Sequence, residues 1–249
     1  PPGSVPPEIA MADIRFLTDS HLHMCETGFP GNYGDFDSLT RAVSCTADPG
    51  EWDLQLSFSS RTVVPSIGVH PWNCGCWNVS VEERFLSILE KSSSCQIGEI
   101  GLDSKKGDVS EQMPSFTGQL DAASSMDRVV SIHMVGAEKQ VLDAIRTHGR
   151  SCRGIILHSF SSESYVKPFL DLGCMFSLSP RILARSKDKV RRLLDLIPDD
   201  RLLLESDAPH QGRFFTGMGD FVRSMADVKG CSPHDLARNT YENLERTVG

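Results

Sequence analysis

The amino-acid sequence predicts an α/β protein with a (β/α)8 TIM barrel. Two observations support this prediction: eight short apolar, β-branched runs follow one another along the chain, and amphipathic stretches at helical spacing separate most of them. The 249 residues are enough for one large core, and barrels commonly fill this length without dividing. Alternating strands and helices of this number fit a closed barrel better than an open doubly wound sheet.

The predicted strands are, in order, residues 14–23, 41–47, 63–71, 95–103, 129–134, 154–160, 174–180 and 201–209. Helices are expected at 79–93, 136–149, 187–200 and 231–248, the last with Ser232 as N-cap and Pro233 at its first position. The first two units are the weakest, because "GDFDSLTR" leaves room for only a short helix. The basic run "RSKDKVRR" at 185–192 is expected to be a solvated helix face.

Residues 13–249 are expected to form a single domain. The Pro-rich stretch at 1–12 lacks the basic and apolar blocks of a secretory signal, so we expect a flexible leader or residues added for expression. No apolar stretch approaches the roughly 20 residues of a membrane span, so no membrane association is expected. The pattern indicates no protein partner.

Charge and cysteine content limit the function classes further. The formal net charge of −8 argues against holding nucleic acid on a wide basic surface, so any phosphate binding must be local. The eight scattered cysteines are typical of buried thiols in a reducing compartment, which favours a cytoplasmic protein and leaves nuclear and mitochondrial locations open. Cys74-Gly-Cys76 is a weak metal motif, since no second cysteine pair accompanies it.

Polar residues end most of the predicted strands, and in a barrel the chemistry lies at these C-terminal ends. The residues are Asp19, His21 and His23 on the first run, His70 on the third, Glu99 and Asp103 on the fourth, His133 on the fifth, His158 on the sixth, and Glu205 and Asp207 on the eighth. Each histidine alone is typical of a hydrogen-bonded core residue. Burying all of these groups at one end without a ligand would be costly, so together they predict a functional site.

The spacing of these residues favours metal chemistry. His21 and His23 lie at i and i+2 of one strand, so both side chains point to the same face and can hold one divalent ion. Glu99 can bridge two ions, because a carboxylate has two oxygens. Two ions in such a site would activate water and stabilise both oxygens of a displacement. Asp19 is expected to orient a ligating histidine.

The sequence resembles the TatD-type metal-dependent deoxyribonucleases, within the wider amidohydrolase-like barrels. The resemblance rests on "DSHLH" (19–23), "GVHPW" (68–72), "GEIGLD" (98–103), "SIHMVGA" (131–137), "ILHSFSS" (156–162) and "RLLLESDAP" (201–209). It extends to the end of the chain, where "NTYENLERTVG" is similar to the closing helix of that family, with Asn243 as its asparagine.

The resemblance implies a set of site residues. The implied metal ligands are His21, His23 and Asp207 on one ion, His133 and His158 on the other, and Glu99 as the bridge. Glu99 and Asp207 are also the residues that we expect to be catalytic, with Asp207 orienting or deprotonating the attacking water. His70 matches a histidine near the substrate phosphate, and Glu205 matches the acidic position of an ETD motif, written here "ESD".

The same resemblance implies two divalent ions, magnesium or manganese in use, and 3' to 5' exonuclease action on DNA or another phosphodiester. Zinc stays open, because imidazole ligands suit it. Three departures from the family concern the substrate. Val135 stands where an arginine usually follows the fifth-strand histidine, Ser162 replaces a glycine, and Ser104 replaces an aromatic residue before Lys105 and Lys106. No expected ligand is altered, so metal binding is better supported than nuclease activity.

Two alternatives remain open. The first is a hydrolase of the amidohydrolase or phosphoesterase type that acts on a small molecule. Binuclear amidohydrolases typically bridge their metals through a carboxylated lysine, whereas Glu99 occupies the equivalent place here, which favours the TatD type. The second is a non-catalytic barrel that retains metal, since a fold alone does not fix function.

Overall fold

The computed structural model describes residues 14–31, 33–210 and 215–249. The expected leader at 1–12 lies outside these residues. Eight parallel strands form one sheet in the order β1 to β8, each paired with the next along the chain. The strands are β1 (Thr18–Leu22), β2 (Arg41–Ser44), β3 (Val63–Ile67), β4 (Gln96–Asp103), β5 (Val129–Val135), β6 (Gly154–Leu157), β7 (Met175–Leu178) and β8 (Leu202–Leu204).

The first and last strands meet at their C-terminal ends. The backbone N–H of Asp207 donates to the carbonyl of His21 at 3.0 Å, and that of His23 donates to the carbonyl of Ala208 at 2.8 Å. Ser20 Oγ adds a hydrogen bond to the carbonyl of Leu204 at 3.1 Å. The predicted eight-stranded barrel is therefore confirmed, and its ring joins at the point where the predicted site residues lie.

Helices lie between the strands. They are α1 (Trp52–Ser57), α2 (Val79–Lys91), α3 (Val109–Ser125), α4 (Glu138–His148), α5 (Val166–Leu170), α6 (Lys187–Leu196), α7 (Met218–Lys229) and α8 (Pro233–Val248). The four predicted helices correspond to α2, α4, α6 and α8, and α8 begins with Ser232 as N-cap and Pro233 at its first position, as expected. Between β1 and β2 the described residues contain one short 3-10 turn, Phe36–Ser38, in agreement with the short first unit.

Exposed basic side chains cover α6. Lys187, Lys189, Arg191 and Arg192 are all exposed, while Val190 is buried, so the expected solvated face is confirmed for the helical part of the run. Arg185 precedes α6 and lines a small cavity beside the end of β7. Among the residues that the structure describes, no helix is long and apolar enough to cross a membrane.

Asn243 on α8 hydrogen-bonds to the backbone at the start of β8. Its buried Nδ2 donates to the carbonyls of Asp199 at 2.7 Å and Leu202 at 2.9 Å, and its Oδ1 accepts from Arg246 at 2.8 Å. We expect Asn243→Ala to lower the free energy of unfolding by about 1–3 kcal/mol, because buried acceptors lose their donor. Asn239→Ala, at a partly exposed site with one hydrogen bond, should cost less. Urea denaturation measures the free energy of unfolding of both variants, and equal decreases would contradict this role of Asn243.

Gly101 lets β4 approach β5 beside the site. It pairs with His133 in register, has φ of +144°, and a Cβ built there would lie 2.0 Å from the carbonyl oxygen of His133. We expect Gly101→Ala to lower the free energy of unfolding by about 2–3 kcal/mol, because the strand must shift to admit the methyl group. Gly75→Ala is the matched control, since no heavy atom lies within 4 Å of its built Cβ. Denaturant unfolding of both variants tests this, and similar stabilities would refute it.

Candidate metal centre

The predicted site residues meet at one end of the barrel. A cavity of about 410 Å³ opens there, at the C-terminal ends of the strands. Its lining includes His23, His70, Glu99, His133, His158 and Asp207. Of the remaining predicted residues, His21, Asp19 and Glu205 are fully buried beside it. Strand order explains this convergence, because the ends of neighbouring parallel strands share one edge.

The Glu99 carboxylate lies at the centre, and one of its oxygens faces the first strand. Oε2 is 3.4 Å from Nε2 of His21 and 3.3 Å from Nε2 of His23. These two ring nitrogens are themselves 3.1 Å apart. The i, i+2 spacing therefore places both imidazoles on one side of Glu99, as the sequence predicted.

The other oxygen of Glu99 faces three histidines from different strands. Oε1 lies 2.8 Å from Nδ1 of His133, 3.5 Å from Nε2 of His70 and 3.7 Å from Nε2 of His158. The carboxylate is thus shared between two sets of imidazoles, one on each oxygen. This is the arrangement that a bridging ligand requires.

The second ring nitrogen of three of these histidines has a partner outside the centre. Nδ1 of His21 is 2.8 Å from Ser131 Oγ, and Nδ1 of His158 is 2.6 Å from Glu205 Oε1. Nε2 of His133 is 3.2 Å from Asp103 Oδ2. Partners of this kind hold the orientation of a ligating imidazole and direct its other nitrogen at the centre.

Asp207 contributes its two oxygens in different directions. Oδ1 lies 3.7 Å from Nε2 of His23 and 4.0 Å from Nε2 of His158, while Oδ2 lies 3.1 Å from Nη2 of Arg181. The residue has φ of +58°, an uncommon backbone conformation that concentrates at functional sites. The geometry leaves one carboxylate oxygen directed at the histidines and the other at the cavity mouth.

The carboxylates of the centre are held in the ionised form. Burial raises the pKa of Glu99, but the charges of His70 and His158 outweigh burial and hold that pKa well below its usual range. Burial also acts to raise the pKa of Asp207, yet His158 and His23 lower it to about 2. Both acids therefore carry negative charge at neutral pH.

Two of the imidazoles, His158 and His23, respond in the opposite direction, whereas burial and the charge of His158 lower the pKa of His21. Burial lowers the pKa of His158, but the neighbouring carboxylates of Glu205 and Glu99 raise it to about 9. Burial also lowers the pKa of His23, but the nearby carboxylates of Asp207 and Glu99 raise it well above its usual value. The carboxylates thus compensate positive charge at this position, which is the electrostatic requirement for holding a cation.

Asp19 has a different partner from the one expected. Its Oδ1 accepts hydrogen bonds from the backbone N–H groups of Ser206 at 2.9 Å and His21 at 3.2 Å, and its Oδ2 accepts from Tyr33 Oη at 2.7 Å. The carboxylate therefore joins the backbone of β1 to the segment after β8. The imidazole of His21 is held by Ser131 instead.

Three further residues contact the predicted ligands: Asp103, which the sequence placed at the end of the fourth strand without a role, and Ser131 and Arg181, which it did not single out. Asp103 accepts from Trp72 Nε1 at 2.8 Å and lies against His133, and Ser131 lies against His21. A signal for two of them was present in the sequence: Asp103 follows Glu99 at i+4 and Ser131 precedes His133 at i−2, so each shares a strand face with a predicted residue. Arg181 had no such signal, because it follows β7 without a neighbouring ligand.

Three groups of described side chains could hold a metal ion, with ligand atoms within 4.8 Å of one another. They are His21, His23 and Asp207; His21, Glu99 and His158; and His70, Glu99 and His133. Within the described part of the chain, Cys74 and Cys76 belong to none of these groups. The donor set fits a divalent cation, since it combines imidazole nitrogens and ionised carboxylates.

A nearly closed parallel barrel with these side chains at the C-terminal ends of its strands defines a class, the metal-dependent hydrolases of the barrel type. Within that class the chain belongs to the TatD related DNase family, which matches residues 18–249. The resemblance noted from the sequence motifs is therefore confirmed.

Individual relatives agree with the family. A 3'-5' ssDNA/RNA exonuclease TatD from Klebsiella pneumoniae is 32% identical over 147 residues, which cover 57% of this chain and 56% of that protein. The chain thus matches about half the length of this relative. An uncharacterized metal-dependent hydrolase TatD from Mycobacterium tuberculosis is 26% identical and covers 94% of this chain and 98% of its own length.

A solved structure supports the fold. The TatD homologue YjjV from Escherichia coli superposes with a TM-score of 0.83 at 20% identity, over 94% of this chain and 98% of that chain. At this identity the likeness concerns the architecture alone. It agrees with the strand order and barrel described above.

Proposed function

We propose that this protein is a metal-dependent deoxyribonuclease that hydrolyses phosphodiester bonds of DNA. The observation that carries the proposal is the carboxylate of Glu99, whose two oxygens face separate sets of imidazoles at 2.8–3.7 Å. A two-metal site of this kind suits in-line displacement at phosphorus, because charge develops on both the attacking and the leaving oxygen. Membership of the TatD related DNase family supports the same chemistry.

The proposed ligand set follows the two faces of Glu99. His21, His23 and Asp207 hold one ion, His133 and His158 hold the other, and Glu99 bridges them. Support for the first set comes from its close grouping, and support for the second from the shared contact with Glu99 Oε1. His70 lies slightly closer to that oxygen than His158 does, at 3.5 Å against 3.7 Å. Its proposed role is contact with the substrate phosphate at the edge of the second set.

Magnesium or manganese is the proposed metal, on the basis of the family resemblance, and the many imidazoles also suit zinc. When bound, two such ions lower the pKa of a water molecule and neutralise charge on the phosphate. Asp207 would orient the attacking water, since its Oδ1 is directed at the histidines of the centre. Asp103, Ser131 and Glu205 keep the imidazoles in position.

The proposed substrate is a DNA strand attacked from its 3' end. This polarity is taken from the Klebsiella relative, which is named a 3'-5' ssDNA/RNA exonuclease. A single strand is the proposed form, because that relative is named for single-stranded substrates. Three fully buried thiols, Cys45, Cys95 and Cys174, support a reducing, cytoplasmic location.

The deciding experiment measures cleavage of end-labelled single-stranded DNA by metal-stripped protein to which magnesium, manganese or zinc is returned. We expect a ladder that shortens from the 3' end and that depends on the added metal. A 5' label and a 3' label in parallel reveal the polarity. If metal binds and no nucleic acid is cut, the nuclease proposal is wrong, and small phosphoesters and amides become the substrates to assay.

A further inference from the structure

Arg181 lies between two cavities. Its exposed guanidinium contacts Asp207 Oδ2 at 3.1 Å and donates to the carbonyl of His210 at 2.8 Å, so one side of it lines the metal centre. Its other side lines a smaller cavity of about 170 Å³ beside the end of β7, which we call the β7 pocket. The same side chain therefore borders both the site of hydrolysis and the space next to it.

The β7 pocket has the chemistry of an anion site. Two arginines line it, Arg181 and Arg185, together with the hydroxyl groups of Ser159, Ser161 and Ser179. None of the described residues that line it is acidic. Guanidinium groups bind phosphate through paired hydrogen bonds, and serine hydroxyls add further donors.

Neighbouring residues hold the lining in place. The backbone N–H of Ser159 donates to Glu205 Oε1 at 2.9 Å, and Ser159 adopts a left-handed backbone with φ of +46°. Its hydroxyl lies 2.7 Å from that of Ser179. Arg185 donates through Nη1 to the carbonyl of Ser161 at 2.9 Å, which directs its guanidinium along the pocket wall. Glu205 therefore contacts both Ser159 of the β7 pocket and His158 of the metal centre.

The pair of arginines in the β7 pocket stands out because the net charge of the chain is negative. With a net charge of −8 the protein has no excess of basic groups with which to hold a polyanion over a wide surface. In the lining of the metal centre, Val135 stands where the family resemblance leads one to expect an arginine. Arg181 at this cavity and Arg185 in the neighbouring β7 pocket supply positive charge without that residue.

We propose that the β7 pocket binds a second phosphate of the substrate strand, one nucleotide away from the bond that is hydrolysed. Arg185 binds this neighbouring phosphate, and Arg181 lies between it and the scissile phosphate. The inference rests on the proposed nuclease function and specifies its substrate: a strand with at least two consecutive phosphates binds better than a molecule with a single phosphodiester.

The test measures affinity, so that it does not depend on turnover. Thymidine trinucleotides are made with two phosphorothioate linkages, which keep the charge and slow hydrolysis, or with a neutral methylphosphonate at one of the two linkages. We expect the metal-loaded protein to bind the doubly charged compound about tenfold more tightly than one of the singly charged compounds. In Arg185→Gln this preference should fall to less than about threefold, because the charge-assisted contact is lost.

Lys189→Gln is the matched control, because it removes one exposed positive charge from α6 and lies outside the lining of both cavities. It should keep the full preference, and Arg185→Lys should keep part of it. Absence of a preference in the wild-type protein, or its survival in Arg185→Gln, would overturn the proposal. Failure of the nuclease function would instead appear as an absence of cleavage of ordinary DNA, which is a separate measurement.

Discussion

Replacing Glu99 with glutamine is expected to lower metal-dependent DNA cleavage by about a thousandfold. The two metal ions of such a site supply several kcal/mol of stabilisation to the transition state, and each ~1.4 kcal/mol corresponds to a factor of ten in rate. Glutamine keeps the shape of the side chain but loses the charge and one of the two oxygens that could bind a cation. Both sets of imidazoles lose their common partner at once, because each faces a different oxygen of Glu99.

The measurement compares rates at saturating metal and the number of metal ions bound per chain. Glu90→Gln removes the same charge from an exposed position on α2 and should leave both unchanged. Circular dichroism of Glu99→Gln without metal shows whether the barrel remains folded. A folded Glu99→Gln protein that cleaves DNA at the wild-type rate would remove Glu99 from the metal centre.

The strands were predictable because each is short, apolar and bounded by polar residues. In a barrel every strand is buried on both sides, so its sequence is a nearly continuous apolar run, as in "GIIL" of β6. The ends of these runs also predicted where the site lies, since parallel strands share a C-terminal edge. His133 and His158 could therefore be placed together from positions far apart in the chain.

Helix α3 was not predicted, for a physical reason. Its buried face contains Gln112 and Gln119, and it includes Pro114, so the apolar periodicity of an amphipathic helix is weak. The glutamines are buried because they bond to the barrel: Gln112 exchanges hydrogen bonds with the backbone of Asp103, and Gln119 does so with Val69. A helix whose buried face carries amide side chains that hydrogen-bond to the ends of strands lacks the apolar periodicity by which helices are recognised in a sequence.

The partners of the site residues were less predictable than their positions. Asp19 was expected beside an imidazole, but its carboxylate binds backbone N–H groups, because the ends of β1 and β8 meet there. Such a contact depends on closure of the ring and has no local signal. Arg181 is comparable: it lies in the 3-10 turn Pro180–Ala184 after β7, and only the fold of the barrel brings it to Asp207.

Replacing Glu205 with glutamine is expected to weaken metal binding by about 10–100-fold, because partners that orient a ligating imidazole have effects of that size. Glu205 is fully buried, and its Oε1 both faces Nδ1 of His158 at 2.6 Å and accepts the backbone N–H of Ser159 at 2.9 Å. Glutamine retains a single acceptor oxygen without the charge. His158 is then held less firmly, and its Nε2 becomes a weaker ligand.

The readout is the metal concentration that gives half-maximal cleavage, measured together with the maximal rate. A positioning role raises that concentration and leaves the rate at saturating metal close to the wild-type value, whereas a group that acted on the substrate would lower the maximal rate at every concentration. Glu138→Gln is the control, because this carboxylate also accepts a serine hydroxyl, that of Ser162 at 2.7 Å, outside the metal centre. An unchanged half-saturating concentration in Glu205→Gln would mean that His158 keeps its position without this carboxylate, and the link from Glu205 to both the metal centre and the β7 pocket would lose its support.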